Sequence, residues 1–556
     1  MNTKNKFKSL LVIIGLLLTF SVQSQIPAPP ITINVATAGT LNTLLGTKAN
    51  QITDLTLTGK LNGSDIGAIR GMTNLTILNI ENVDIVSGGG AYYGVDSRYY
   101  YTSDNVIGYS MFCNLKKLQS IILPNSSVSM DSNAFNDCTG LTSVTIGNSK
   151  IYIAGYSFEG CTAFKEFIVS EENTKYSTID GVLYNKDKTT LVAYPYAKAT
   201  TYIIPESVTS IQGYAFYQCT GLTSVTIGNS VTSIGSWTFS GCTSLTSVTI
   251  GNNVTSIGQD AFYKCIGLTS VTIPNSVTSI GYNAFYGCRG LTSLIIGNSV
   301  KSIGGSAFYQ CTGLTSIIIP DSVTMIGNGA FSSCIGLTSL IIGNSVTSIE
   351  GSAFWNCKGL ASIIIPDNVT SIGSSAFGSC TELTSITIGN SVKSIGESAF
   401  ENCTGLTSVT IPNCVTSIGN RAFYNCTGLT EIHSQNSTPP TVGTNCFYNV
   451  NRTTCNLYVP KGSYAAYWLA PVWGDFGNII EEDVTAINTI SKDKIVIHSN
   501  ADGIAIATKE AIPVSIFNIA GQKVYQSVVT GSAEISLNKG IYVVSVNNES
   551  QKIIVK

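Results

Sequence analysis

The chemistry open to this chain is set by its scarce polar residues and by those that recur at fixed spacing. Two histidines, His433 and His498, stand among 556 residues. Neither lies in a recognisable motif with a carboxylate or nucleophile, so acid–base catalysis by histidine and histidine-rich metal sites have little material. Serine is abundant, yet no GxSxG elbow occurs. No glycine loop of the phosphate-binding kind precedes a helix, and no EF-type calcium loop is present. The carboxylates Asp260, Asp321, Asp367, Glu350, Glu382 and Glu397 are scattered across turn segments. They read as solvated surface charge; the other reading is a glycosidase pair, which spatial separation and not sequence spacing would define. The expectation is a protein that is not an enzyme and uses no cofactor or metal.

Sixteen cysteines are the other chemically notable set. Twelve of them recur at one place in a repeating pattern, from Cys138 and Cys161 through Cys219 to Cys426. That regularity favours a small apolar rung facing inward, a role free cysteine fills well. Vertical disulfides between rungs are the competing reading, because neighbouring strands fall within the Cα range of a bridge. Zinc is disfavoured, with no CxxC pair and no histidine partner. Cys113, Cys414, Cys446 and Cys455 lie off this ladder, and Cys446 with Cys455 could form a local bridge.

The elements that must position these residues follow from a 23-residue period. Phe239 is followed by Phe262, Phe285, Phe308, Phe331, Phe354, Phe377, Phe400 and Phe423, and preceded by Phe216. After an insertion the phase resumes at Phe158, Phe135 and Phe112. One unit reads LTSVTIGNSVTSIGSWTFSGCTS from Leu222. Leu222, Val225 and Ile227 alternate with hydroxyl residues, the pattern of a half-buried strand. Gly228-Asn229-Ser230 supplies a turn, and proline replaces that glycine at Pro274, Pro320, Pro366 and Pro412. Val231 and Ile234 fit a second short strand. A lone unit cannot bury these side chains, so the coils must stack into a solenoid. Thr, Ser, Gly, Val and Ile dominate each coil and argue against helices.

Composition agrees. The chain is 44% hydrophobic and 11% charged, with a net charge of −2, which excludes a disordered chain and a basic nucleic-acid or polybasic membrane surface. Residues 1–24 read as a signal peptide: Lys4, Lys6 and Lys8 precede the apolar run Leu10–Phe20, and Val22 and Ser24 suit cleavage before Gln25. No later stretch is long and apolar enough for a transmembrane helix.

The pattern LxxVxIxxxVxxIxxxAFxxCxx resembles the leucine-rich repeats of BspA-like bacterial surface proteins. The resemblance implies a mainly β fold: a leucine-rich-repeat solenoid with two short strands per coil. Residues 25–104 form an N-terminal leucine-rich cap carrying a tyrosine-rich insert, 105–460 the solenoid with a hairpin insert near 166–203, and 461–486 a closing segment and linker. It implies an adhesin binding host, matrix or other cell-surface macromolecules, whether protein or glycan. Residues 487–556 contain seven short alternating segments that read as a small Ig-like β-sandwich. Phe517, Asn518, Gly521, Gly540, Tyr542 and Lys552 carry a resemblance to the C-terminal sorting domain of type IX (Por) secretion. This implies engagement of that machinery and release or anchoring at the outer-membrane surface. Two alternative functions remain open, a carbohydrate-active enzyme and a self-assembling surface coat.

Two candidate contact surfaces stand out. The position of Thr226 is isoleucine at Ile295, Ile318, Ile341 and Ile364, which would make an exposed apolar stripe. Such a stripe is either a dock for a partner or second copy, or simply β-branched stacking within a sheet. The segment 88–101 carries Tyr92, Tyr93, Tyr99, Tyr100 and Tyr101, which offer large contact area at low entropic cost. The coils hardly vary at their exposed positions. This uniformity suits many weak contacts with an extended partner, and recent duplication would produce it equally.

Overall fold

The computed structural model describes residues 30–153, 155–482, 495–500, 503–518, 522–537, 540–546 and 549–555. The signal-peptide expectation for 1–24 lies outside the described residues. From residue 30 to residue 482 the chain winds as a β-solenoid, its repeating coils contributing two short strands each that stack in parallel on those of neighbouring coils, in one continuous sheet and one interrupted sheet.

The cap opens it. Strands Ile31–Val35, Asp54–Leu61 and Ile77–Ile85 start a six-stranded parallel sheet that continues through Ser120–Ile122, Ser143–Ile146 and Glu166–Val169. The helix Gly63–Arg70 crosses between the second and third strands. Asn62 and Asp65 form a capping box at its start, and buried Asp65 also accepts the amides of Gly39 at 2.6 Å and Leu41 at 2.9 Å. Its carboxylate thus satisfies three amides that would otherwise be buried unpaired.

The insertion expected near 166–203 is a hairpin. Tyr176–Ile179 pairs antiparallel with Val182–Asn185, which pairs with Thr190–Ala193. Thr190–Ala193 then joins Ser210–Ile211 in parallel. From there the Ser–Ile strands run unbroken to Thr441–Val442 in a fourteen-stranded sheet. The Ser–Val–Thr strands form the second sheet, beginning at Thr201–Ile203, and this one is interrupted.

The third side of each coil is a ladder of turns. In the stack from Phe216 to Phe447, residues two before and two after each phenylalanine take left-handed backbone, as at Trp237 (φ 59°) and Gly241 (φ 74°), then Asp260 (φ 52°) and Lys264 (φ 54°). This bend aims the amide of one coil at a carbonyl of the next: Phe239 N–H donates to Ala261 at 2.7 Å and Phe262 to Ala284 at 2.7 Å. Most L-residues disfavour this conformation. Here the coil-to-coil hydrogen bonds and the buried Ala-Phe pair hold it.

Between the three sides lies the core. The rings from Phe216 to Phe447 form one stack with centroids 4.8–5.7 Å apart and planes within 24°. Phe112, Phe135 and Phe158 form a shorter stack on the cap side of the insertion. Around the rings sit the buried Leu, Val, Ile, Ala and Cys rungs. Trp473 and Tyr467 of the closing segment cover the last coil: the Trp473 indole donates to Pro440 O at 2.9 Å, and the Tyr467 hydroxyl to Asn436 O at 2.9 Å.

Beyond residue 494 the seven short segments expected are five strands. Gly503–Asn518 and Lys523–Ser536 each join two of the expected segments, separated only by register shifts. Ile495–Asn500, Gly540–Val546 and Glu549–Val555 complete one antiparallel network. These pairings do not by themselves divide into the two facing sheets of a sandwich.

Candidate functional site

The thiol ladder has a chemical role that its reading as a mere apolar rung misses. Every ladder thiol but Cys219 lies against the carbonyl of the preceding coil's phenylalanine: Cys242 Sγ donates to Phe216 O at 3.0 Å, Cys265 to Phe239 at 3.0 Å and Cys311 to Phe285 at 3.3 Å. The same carbonyl accepts the amide three residues on, as Phe285 accepts Cys288 N–H at 3.2 Å. The thiol therefore engages the second lone pair of a carbonyl sealed from water. Cys219, just after the insertion, turns to Tyr194 O at 3.7 Å, where the Tyr194 ring stands in for the missing phenylalanine.

All sixteen cysteines are free. Burial pushes the thiols of Cys242, Cys288, Cys334 and Cys403 up to about 12. Cys446 and Cys455 do not pair. Cys446 directly precedes Phe447 in the aromatic stack, as alanine precedes most of the earlier phenylalanines, and its carbonyl accepts Phe423 N–H at 3.0 Å. Cys414 replaces a turn serine: its Sγ donates to Val392 O at 3.0 Å, as Ser276 and Ser322 hydroxyls donate to Val254 O and Val300 O. Cys113 lies beside the Arg70 guanidinium at 3.5 Å. The ladder thiols, sealed in the core with raised pKa, are not in the electropositive, accessible setting of a reactive thiol.

The sheet face carries the isoleucines in line. Ile295, Ile318 and Ile341 are half-buried and Ile364 is 47% exposed. Ile318 pairs with Ile341, and Ile364 with Thr387. The column continues through Thr410, His433 and Tyr458.

The tyrosine-rich insert is a hairpin of Gly88–Val95 and Arg98–Thr102 packed on the cap. Asp96 and Ser97 both take left-handed backbone, the turn that matches strand twist. Alternation sorts the tyrosines. Tyr92 is buried, its hydroxyl on Tyr109 O at 3.1 Å, so it leaves the contact surface. Tyr93 lies under the Arg70 guanidinium at 4.8 Å, and Tyr100 stacks on Tyr109 at 4.7 Å. Tyr99 and Tyr101, 68% and 58% exposed, project outward. Tyr99 lies over Gly94, where an added Cβ would come within 3.1 Å of its ring. Gly94 thus leaves room for the Tyr99 ring, which forms an exposed shelf with Tyr101.

Sequence reading passed over one cluster at the far end. His433 sits between two carboxylates, Nδ1 3.0 Å from Glu482 and Nε2 3.7 Å from Glu431, with Tyr458 stacked on its ring at 4.4 Å. Glu431 is two residues away in sequence, but Glu482 is 49, and only the closing strand Asn478–Glu482 brings it there. The cluster ties that strand to the last coil. A polar hollow of about 470 Å³ lies nearby, lined by Asn413, Gln435, Asn436, Ser437, Thr438 and Pro460.

In the tail strand pair, Asn518 Oδ1 accepts Gln522 N–H at 2.9 Å, and the Asn518 backbone amide donates to Gln522 O at 3.0 Å. Phe517 faces the Lys523 ammonium at 5.9 Å, and Tyr542 is buried. Gly540 and Lys552 lie on the last two strands. Gly521 lies outside the described residues.

Parallel coils with a buried leucine–phenylalanine core and short strand ladders define a leucine-rich-repeat solenoid. The BspA-type leucine-rich repeat region matches residues 90–194, 190–315, 238–361 and 349–463. The chain belongs to that family. The secretion-system C-terminal sorting domain matches residues 491–556. The protein is therefore a secreted or cell-surface leucine-rich repeat protein sorted by the Por route, and neither match indicates a catalytic domain. No significant match to a curated protein was found. Among solved structures, a leucine-rich repeat protein from Bacteroides ovatus is 25% identical, covering 73% of this chain and 92% of its own, with a TM-score of 0.47. One from Eubacterium ventriosum is 23% identical, covering 60% and 83%, with a TM-score of 0.41. A leucine-rich cell surface protein from Faecalibacterium prausnitzii is 29% identical, covering 65% and 88%, with a TM-score of 0.35. Among the described residues, no helix is long and apolar enough to cross a membrane.

Proposed function

We propose that this protein is an adhesin: a rod exported by way of a leader at 1–24, held or released at the outer membrane through its tail at 487–556, and gripping a macromolecule with its cap and array. The observation that carries this reading is polarity. The exposed Tyr99 and Tyr101 shelf lies on the cap at one end of the array, and the sorting domain follows the closing strand at the other. A chain tethered by its tail would hold the shelf farthest from its own membrane. Tyrosine there suits a protein or glycan surface on host, matrix or neighbouring cells, and the uniform hydroxyl face behind it adds weak repeated contacts. Incubating the secreted chain with arrays of matrix proteins and glycans tests this. Binding that falls at least tenfold in Tyr99→Ala/Tyr101→Ala, with unchanged melting temperature, supports it; no binding to any surface class opposes it.

A second reading draws on the 47% exposure of Ile364. The isoleucine stripe would then join copies of the chain into a surface coat, and concentration-dependent light scattering would detect it.

A further inference from the structure

The interruptions in the Ser–Val–Thr sheet follow a rule. From Gly251 onward the turn residue after the strand alternates: Gly251, Pro274, Gly297, Pro320, Gly343, Pro366, Gly389, Pro412. Each proline coil pairs in full register with the glycine coil after it: Ser270–Thr272 with Ser293–Ile295, Ser316–Ile318 with Ser339–Ile341, and Ser362–Ile364 with Ser385–Thr387. Each step from a glycine coil to the next proline coil is weakened or open. The step from Ser247 to Ser270 keeps one paired position, and those after Ser293, Ser339 and Ser385 break the sheet.

The backbone hydrogen bonds repeat this alternation. Within a pair, Thr292, Thr338 and Thr384 each donate to the preceding coil at 2.9 Å. Across the seams, Thr269 and Thr407 do so at 3.2 and 3.3 Å, and among the described residues Thr315 and Ala361 make no such bond. Likewise Ile273, Ile319 and Ile365 donate forward at 2.8–2.9 Å, whereas Ile296 and Ile342 have no such bond. The inward side chains follow suit. Leu294, Leu340 and Ile386 of the glycine coils are 6–8% exposed, against 1–2% for Val271, Ile317, Ile363 and Val409 of the proline coils.

Proline explains the phase. Among the described residues, the glycines at this position make no backbone hydrogen bond to the preceding coil, so the difference lies in the proline ring, which needs room on that side. The glycine that follows lets its coil close: a Cβ on Gly297, Gly343 or Gly389 would fall 2.3–2.4 Å from the carbonyl of the proline before it. Where two glycine coils meet, at Gly228 and Gly251, the strands keep full register.

We infer that the array is built of two-coil units of 46 residues, hinged at seams between Ser293 and Ser316, Ser339 and Ser362, and Ser385 and Ser408. The unbroken Ser–Ile sheet is the spine, and bending and local opening occur at the seams on the opposite strands. Two seams pass between Ile295 and Ile318 and between Ile341 and Ile364, so the apolar stripe changes its spacing as the rod flexes. The three-sided coil thereby becomes an adjustable surface.

Hydrogen exchange on the full secreted chain, resolved to single amides, tests this. Ile296, Thr315, Ile342 and Ala361 should exchange about fivefold or more faster than Ile273, Ile319, Thr338 and Thr384, the scale of one missing hydrogen bond. In Pro320→Gly/Pro366→Gly, which copies the glycine of neighbouring coils, Thr315 and Ala361 should slow to the rate of Thr338. Equal rates for the two sets in the wild-type chain overturn the inference, as does a folded glycine variant with no local change. The wild-type comparison stands whether or not the variant folds.

Discussion

Challenge of the native protein with an alkylating agent at pH 8 separates a thiol ladder from a disulfide ladder and from a reactive one. The thiolate is the attacking species, and an ordinary cysteine with a pKa near 8.5 is about one-quarter ionised at that pH. Cys242, Cys288, Cys334 and Cys403, pushed up to about 12 by burial, would be ionised to only about one part in ten thousand. Ionisation alone therefore slows their reaction by roughly three orders of magnitude. Occlusion adds to this, because fifteen of the sixteen cysteines are buried and only Cys414 is partly open. Mass spectrometry after brief iodoacetamide exposure should find Cys414 labelled first and the ladder unlabelled. The same chain in denaturant should take up label at every cysteine. Rapid labelling of Cys311 or Cys334 in the native state would refute the burial argument, and ladder cysteines that stay unlabelled after denaturation until reductant is added would refute the free-thiol assignment.

Other consequences follow from the same packing. The raised thiols keep their protons in the folded chain and lose them in the unfolded one, so stability is full only well below the unfolded thiol pKa, about pH 7 and under, and should fall as pH rises through about 8.5 toward 12; chemical denaturation at stepped pH measures this, and a flat profile contradicts it. Phe308→Ala removes one ring from the stack and should cost about 3–5 kcal/mol by denaturant titration; a loss under 1 kcal/mol contradicts a close-packed column. Gly343→Ala places a methyl 2.4 Å from Pro320 O and should lower stability by about 1–3 kcal/mol, whereas Gly46→Ala, with no neighbour within 4 Å but a positive φ, tests backbone strain alone.

Much of this architecture is legible in the sequence because each coil repeats one physical problem. Phe239 and its equivalents at 23-residue steps announce a stacked ring column, and Cys242 and its equivalents announce a second inward rung. The role of the thiol as donor to Phe216 O is not legible, because it depends on which carbonyl lies beneath the sulfur in the neighbouring coil. The alternation of glycine and proline is visible as letters, but its effect appears only once strand pairing is known. Tyr92 and Tyr99 look equivalent in a tyrosine-rich stretch; the hairpin register buries one and exposes the other. Glu482 reaches His433 only through the closing strand, a contact no local spacing announces.

The interchangeability of coils is the central claim, and excision tests it most directly. Removing residues 291–336 joins Gly290 to Leu337, deletes two coils and preserves both the 23-residue phase and the glycine–proline alternation. The shortened chain should unfold in a single cooperative transition, with a slope reduced in proportion to the lost surface. Removing residues 291–302, about half a coil, should abolish that transition. Equal behaviour of the two deletions would contradict a solenoid held together by rung-on-rung stacking.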